Sequence, residues 1–179
     1  MSQATRTHEI VSMEALVEYL KQKGAHRSIQ YRRAEDDPPD YWLSIDGDTF
    51  AVEETSAADE PTIARIAKQR RQGTQGGVVG IKWEGEAQDG LAKLFEDSVE
   101  TKRAKLEKKG VPQQCRKIIL LFYDAYNFGD ASNSAKALQR VPGYEWFHSI
   151  FRAPPDWSRP HDGHRIAVCL YSKEARWRA

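Results

Sequence analysis

The alternation of apolar and polar positions is clearest between Tyr41 and Thr55. Tyr41, Leu43 and Ile45 alternate with Trp42, Ser44 and Asp46, the two-residue period of a strand. Asp46-Gly47 then predicts a type I′ turn, because glycine accepts the positive φ that such a turn needs. Beyond the turn, Phe50 and Val52 point to one face, and Thr49, Ala51, Glu53 and Thr55 to the other. The segment reads as a β-hairpin. It carries one carboxylate where its first strand opens, Asp40, and another late in its second strand, Glu53. A hairpin can bring those two ends near each other, the raw geometry of a divalent-cation site.

Around the hairpin the period shifts to that of helices. Ser12 suits the N-cap of a helix over 13–21, with Met13, Leu16, Val17 and Leu20 on one face and Gly24 as its stop. Residues 1–8 read as a loose terminus. Ser28 to Arg33 alternates weakly and forms a candidate first strand, followed by a charged turn over 34–39. Residues 57–72 carry Pro61 at a helix start and a basic cluster of Arg65, Lys68, Arg70 and Arg71. That cluster suits either phosphate contact or a solvated helix face. Gly73, Gly76, Gly77 and Gly80 mark a loop or inserted hairpin near 72–89. No Gly-Lys-Ser/Thr follows, so it is not a phosphate-binding P-loop.

Residues 90–109 form the second major helix, with Leu91, Leu94, Phe95, Val99 and Leu106 as its apolar stripe. Lys102 falls near the centre of that stripe, with Ser98 and Lys105 beside it. A lysine there either snorkels to solvent or meets a carboxylate. Gly110 stops the helix and Pro112 prevents its return. The near-continuous apolar run Ile118-Ile119-Leu120-Leu121-Phe122 implies a strand buried on both faces, ended by Asp124. A short helix follows over 131–140. Residues 146–151 read as a strand, or a helix leading into one, and 165–171 as a last strand before a basic tail. His161 and His164 flank Asp162-Gly163 in a polar loop, which favours a solvated pair over a metal site.

Helix, strand, hairpin, helix, buried strand and further strands make an α/β sandwich with a central mixed sheet, in one domain over 1–179. Composition changes this picture little. The 179 residues are 40% apolar and 30% charged, enough for a core under a solvated surface. The net charge of +1 announces no nucleic acid, so any such interface must be local. Cys115 and Cys169 fit no zinc spacing and read as reduced and buried. Met1 to Arg6 lacks an apolar signal region and no stretch is long enough to span a membrane, which points to a cytoplasmic protein without membrane partners.

The hairpin and its surroundings resemble the PD-(D/E)XK nuclease superfamily, the restriction-endonuclease-like fold. Pro39-Asp40 matches the first half of the family motif, and Val52-Glu53-Glu54-Thr55 the second. The lysine position holds Thr55, and the usually apolar middle position holds Glu54. The order of elements matches the family's αβββαβ core over nearly the whole chain. The resemblance implies a metal-dependent endonuclease acting on nucleic acid, with DNA the favoured substrate. Asp40 and Glu53 would hold Mg²⁺ or Mn²⁺. Lys102 would replace the missing lysine, as a lysine from the following helix does in parts of the superfamily. Glu14, on the first helix, matches an additional acidic residue of the family, or else only complements the helix dipole. Two alternatives stay open: an inactive nuclease-fold domain that binds nucleic acid, suggested by Thr55, and a protein-interaction domain, suggested by the near-neutral charge. Assembly into a homo-oligomer also stays open.

Overall fold

A computed structural model of the chain describes residues 3–24, 26–56, 87–123, 131–153 and 166–178. In chain order its elements are helix α1 (Gln3–Lys23), strands β1 (Ile29–Arg33), β2 (Tyr41–Ile45) and β3 (Asp48–Ser56), helices α2 (Ala87–Lys108) and α3 (Val111–Gln114), strand β4 (Ile118–Tyr123), helix α4 (Ala131–Leu138), and strands β5 (Ser149–Ala153) and β6 (Val168–Ser172). Single 3₁₀ turns cover Tyr144–Trp146 and Ala175–Trp177. The strands form one six-stranded mixed sheet in sequence order. β1, β2 and β3 are an antiparallel meander, β3, β4 and β5 run parallel, and β6 returns antiparallel.

The predicted hairpin forms in the expected register, with Tyr41 opposite Val52 and Ile45 opposite Asp48. Asp46 and Gly47 have φ of 54° and 93°, so both turn residues take the left-handed conformation that a type I′ turn requires. Alternation then sorts the strands into two cores. Tyr41, Leu43, Ile45, Phe50, Val52, Ile119 and Leu121 pack under α1 with its Met13, Leu16 and Leu20. Ala51, Ile118, Leu120 and Phe122 face the other way, against Leu91, Phe95, Val99 and Leu106 of α2 and Leu138 of α4. β4 is therefore buried on both faces, as its unbroken apolar run requires. Burying each such side chain stabilises the fold by about 1.5–3 kcal/mol. The layers are helix, sheet, helix.

Three sequence expectations need correction. Residues 3–8 are not a loose terminus, because α1 begins at Gln3 and Ser12 lies inside it. No Gly or Pro interrupts residues 3–12, and a helix once nucleated propagates through polar residues. Pro112 does not merely block a helix. Gly110 turns the chain with φ 74°, and Pro112 opens α3, where its fixed φ and missing N–H are tolerated. The basic tail is not a free end, since Trp177 is completely buried against α1 and the sheet.

Gly24 does end α1, through its N–H to Leu20 O at 3.1 Å, but the choice of glycine has another cause. A Cβ at position 24 would collide with the His26 imidazole. Cys115 and Cys169 are free and buried, as expected. Among the described residues, no helix is long and apolar enough to cross a membrane.

Candidate metal centre

The hairpin places Asp40 and Glu53 by backbone bonding rather than by side-chain preference. Asp40 N–H donates to Val52 O at 3.0 Å, extending the β2–β3 ladder by one residue. In return Glu54 N–H donates to the Asp40 carboxylate at 2.7 Å. The side chain of Asp40 thus acts as the next rung and is pinned beside β3. Glu53 follows Ala51 by two residues, so it points into the α2 layer while Phe50 and Val52 point to α1. Its side chain is completely buried.

α2 supplies the cations. Lys102 lies three residues after Val99 and four before Leu106, on the helix face that packs against the sheet. Its Nζ donates to Glu53 Oε1 at 2.7 Å. Lys105, three residues further on, donates to the same oxygen at 3.0 Å and to Asp37 Oδ1 at 2.6 Å. The loop holding Asp37 is closed at its neck by Ala34 N–H to Asp40 O at 3.0 Å. Pro38 and Pro39 are buried beneath it, while Asp37 itself is exposed. One oxygen each from Asp37, Asp40 and Glu53 lie within 4.8 Å of one another.

The electrostatics follow from this crowding. Burial, then the neighbouring Glu53, pushes the Asp40 carboxyl up to about 6, although Glu54 N–H and the two lysines pull the other way. Asp37 is held below the usual carboxylate range, chiefly by its hydrogen bond from Lys105. Burial works to lower the Lys105 pKa, but its bonds to Asp37 and Glu53 outweigh that and raise it. Among the described residues, Glu53 Oε2 is buried without a hydrogen-bond partner. Such an oxygen is expensive to leave dry, and it is an unused ligand atom on one of the three clustered carboxylates.

These donors fit a divalent cation. Three clustered carboxylates are hard oxygen ligands, the set preferred by Mg²⁺ and Mn²⁺. A cation would relieve the Asp40–Glu53 repulsion and could accept the spare oxygen of Glu53.

Of the residues singled out in the sequence, Asp40, Glu53 and Lys102 converge. Thr55 is half-buried on the same strand face as Glu53 and brings no charge. Glu14 is exposed on α1, in the layer on the opposite side of the sheet, and lies outside the carboxylate cluster. Together with burial, it raises the Tyr31 phenol pKa. The sequence reading missed Asp37 and placed Lys105 only beside the stripe. Asp37 is the last of three consecutive acids, Glu35-Asp36-Asp37, and only the closed loop selects it. Arg65, Lys68, Arg70, Arg71, Asp124, His161 and His164 lie outside the described residues, as does the 72–86 portion of the glycine-rich segment.

Neither a family model nor a curated protein nor a solved structure matches this chain.

Proposed function

We propose that the chain is a Mg²⁺- or Mn²⁺-dependent nuclease of the PD-(D/E)XK kind, hydrolysing phosphodiester bonds in DNA. The observation that supports this most is the convergence of Asp40 and Glu53, from two strands of one hairpin, with Lys102 from the helix that follows it. Among the described residues the order α1-β1-β2-β3-α2-β4, with the short α3 interposed, agrees with the αβββαβ core of that superfamily. Asp40 and Glu53 would hold the ion. Once bound, it would polarise the scissile phosphate and lower the pKa of an attacking water. Lys102, held by Glu53, would stabilise negative charge developing on the phosphate oxygens. Thr55 cannot do this, and the cation from α2 stands in for the motif lysine. Beside Asp37 opens a groove of about 550 Å³ whose lining includes Arg32, Trp42 and Lys109. The two cations suit phosphates and the ring suits a base, although Glu35, Asp36 and Asp37 also line the groove.

A second reading is a nucleic-acid-binding domain without activity. It is favoured by Thr55 and by the pairing of Glu53 Oε1 with two lysines. One experiment separates the two. Metal-stripped protein is titrated with Mn²⁺ by calorimetry and incubated with single- and double-stranded DNA in Mg²⁺, Mn²⁺ or EDTA. The nuclease reading expects Mn²⁺ binding and metal-dependent cleavage, both abolished in Asp40→Ala and Glu53→Ala. Salt-sensitive DNA binding without cleavage selects the second reading. Mn²⁺ affinity unchanged in both variants rejects these ligands.

A further inference from the structure

We infer that Lys105 is the resident counter-cation of this site, competing with a divalent ion for the same carboxylates, and that metal binding releases Lys105 and frees Asp37 as a third oxygen ligand. The inference rests on the metal-dependent reading above. Its first support is geometric. A single ammonium bridges Asp37 at 2.6 Å and Glu53 at 3.0 Å, two of the three residues whose oxygens lie within 4.8 Å of one another. A lysine ammonium is a compact point charge with several donors, so it can do for two carboxylates part of what a small cation does.

The second support is the charge balance. Fully ionised, three carboxylates against two ammonium groups leave one net negative charge. With Lys105 withdrawn two remain, the charge that a divalent cation neutralises. The third is the unequal hold on the two lysines. Lys102 is the more buried, with 19% of its side chain exposed against 33% for Lys105. The Asp37 that anchors Lys105 is 66% exposed, so that bridge opens into water with little loss. Glu53 keeps capacity for a new partner while both lysines are in place, because its Oε2 has none among the described residues. Lys102 and Lys105 thus divide the work: one stays beside Glu53 during catalysis, and the other holds the carboxylates together until metal arrives.

The test is Mn²⁺ calorimetry on metal-stripped wild type, Lys105→Met, Lys105→Gln and Lys105→Arg, with melting curves in EDTA to identify folded variants. Removing a competing cation should tighten Mn²⁺ binding on the order of tenfold in a folded neutral variant, the scale of a typical coupling between two ligands. Lys105→Arg keeps the charge and should bind no more tightly than wild type. Wild-type binding with unchanged or weaker affinity in a folded neutral variant overturns the role of Lys105 and leaves the metal reading standing. Binding by a neutral variant where wild type shows none supports the inference. No Mn²⁺ binding by any form overturns both.

Discussion

Asp46 and Glu53 belong to one hairpin, seven positions apart in the chain, and meet their surroundings in opposite ways. At the turn, Asp46 Oδ1 accepts from Arg27 N–H at 2.8 Å and Ser28 N–H at 2.9 Å, while Oδ2 lies 3.0 Å from His26 Nδ1. The Trp177 indole N–H donates to His26 Nε2 at 3.3 Å. Indole is a donor only, so Nε2 must accept, and a neutral His26 then carries its proton on Nδ1 and gives it to Asp46. Both oxygens of Asp46 are taken, and the chain of bonds ties the turn to the end of α1 and to the C-terminal 3₁₀ turn. Glu53 is more deeply buried, yet one of its oxygens has no partner among the described residues. A carboxylate with both oxygens engaged fastens a structure. A buried one left partly open is a candidate for binding.

The largest expected effect probes the fastened end. Trp177 is fully buried and packs against Phe50 with ring centroids 5.4 Å apart. Trp177→Ala should lower stability by about 3–5 kcal/mol, on the order of 10 °C in melting temperature for a chain of this size. Mn²⁺ affinity should stay as in wild type. A parallel loss of metal binding would mean the two ends are one cooperative unit, and the contrast between them would fail.

The next effect probes the open end. Lys102→Ala should reduce cleavage on the order of 10²–10³ at saturating metal while Mn²⁺ still binds. Equal rates in variant and wild type would remove Lys102 from the chemistry and leave Thr55 without a substitute.

The smallest effect sharpens the contrast through its sign. Asp40 in the folded chain has its pKa raised to about 6, above its unfolded value. Between roughly pH 4 and pH 6 the folded state retains a proton that the unfolded state has released. Metal-free stability therefore falls as pH rises through that window and levels off above it. Asp40→Asn should abolish this slope and raise stability in EDTA at pH 7 by on the order of 1–3 kcal/mol. Asp46 is shifted down, first by His26 and then by the backbone N–H groups. Its contribution is present above the ordinary carboxylate range and lost as pH falls through its depressed value. Asp46→Asn should therefore lower stability at pH 7 and flatten the acid limb of the melting profile. Stability changes of the same sign at pH 7 in the two variants would dissolve the distinction.

The hairpin was legible because alternation, the Asp46-Gly47 turn and burial all point one way. Lys102 was legible because a lysine in an apolar stripe must either snorkel or meet an acid, and Thr55 had left the motif without its cation. Asp37 was not legible. Local pattern cannot choose among Glu35, Asp36 and Asp37, and the choice is made by the Ala34–Asp40 closure. Lys105 was underestimated for a related reason. A helical wheel places it off the stripe centre, yet a long flexible stem still reaches Glu53. Trp177 was hidden in a basic tail because burial of one aromatic residue leaves no periodicity to read. Gly24 was recognised as a helix stop, but the ring that demands it lies outside any capping rule.

The parallel pairing of β3 with β4 also sets the order in which the site can be built. Asp40 and Glu53 belong to one hairpin and meet through local contacts, whereas Lys102 and Lys105 lie 49 and 52 residues beyond Glu53. Closing so long a loop is entropically slow compared with zipping a hairpin. On that order the carboxylates would approach each other before their counter-charges arrive, and the folding chain would pass through a stage that favours a protonated Asp40. Refolding jumps started at mildly acidic pH should run faster than jumps at neutral pH, and Asp40→Asn should remove the difference. The pair proposed to hold a cation in the finished protein would be, during folding, a kinetic barrier that protons lower.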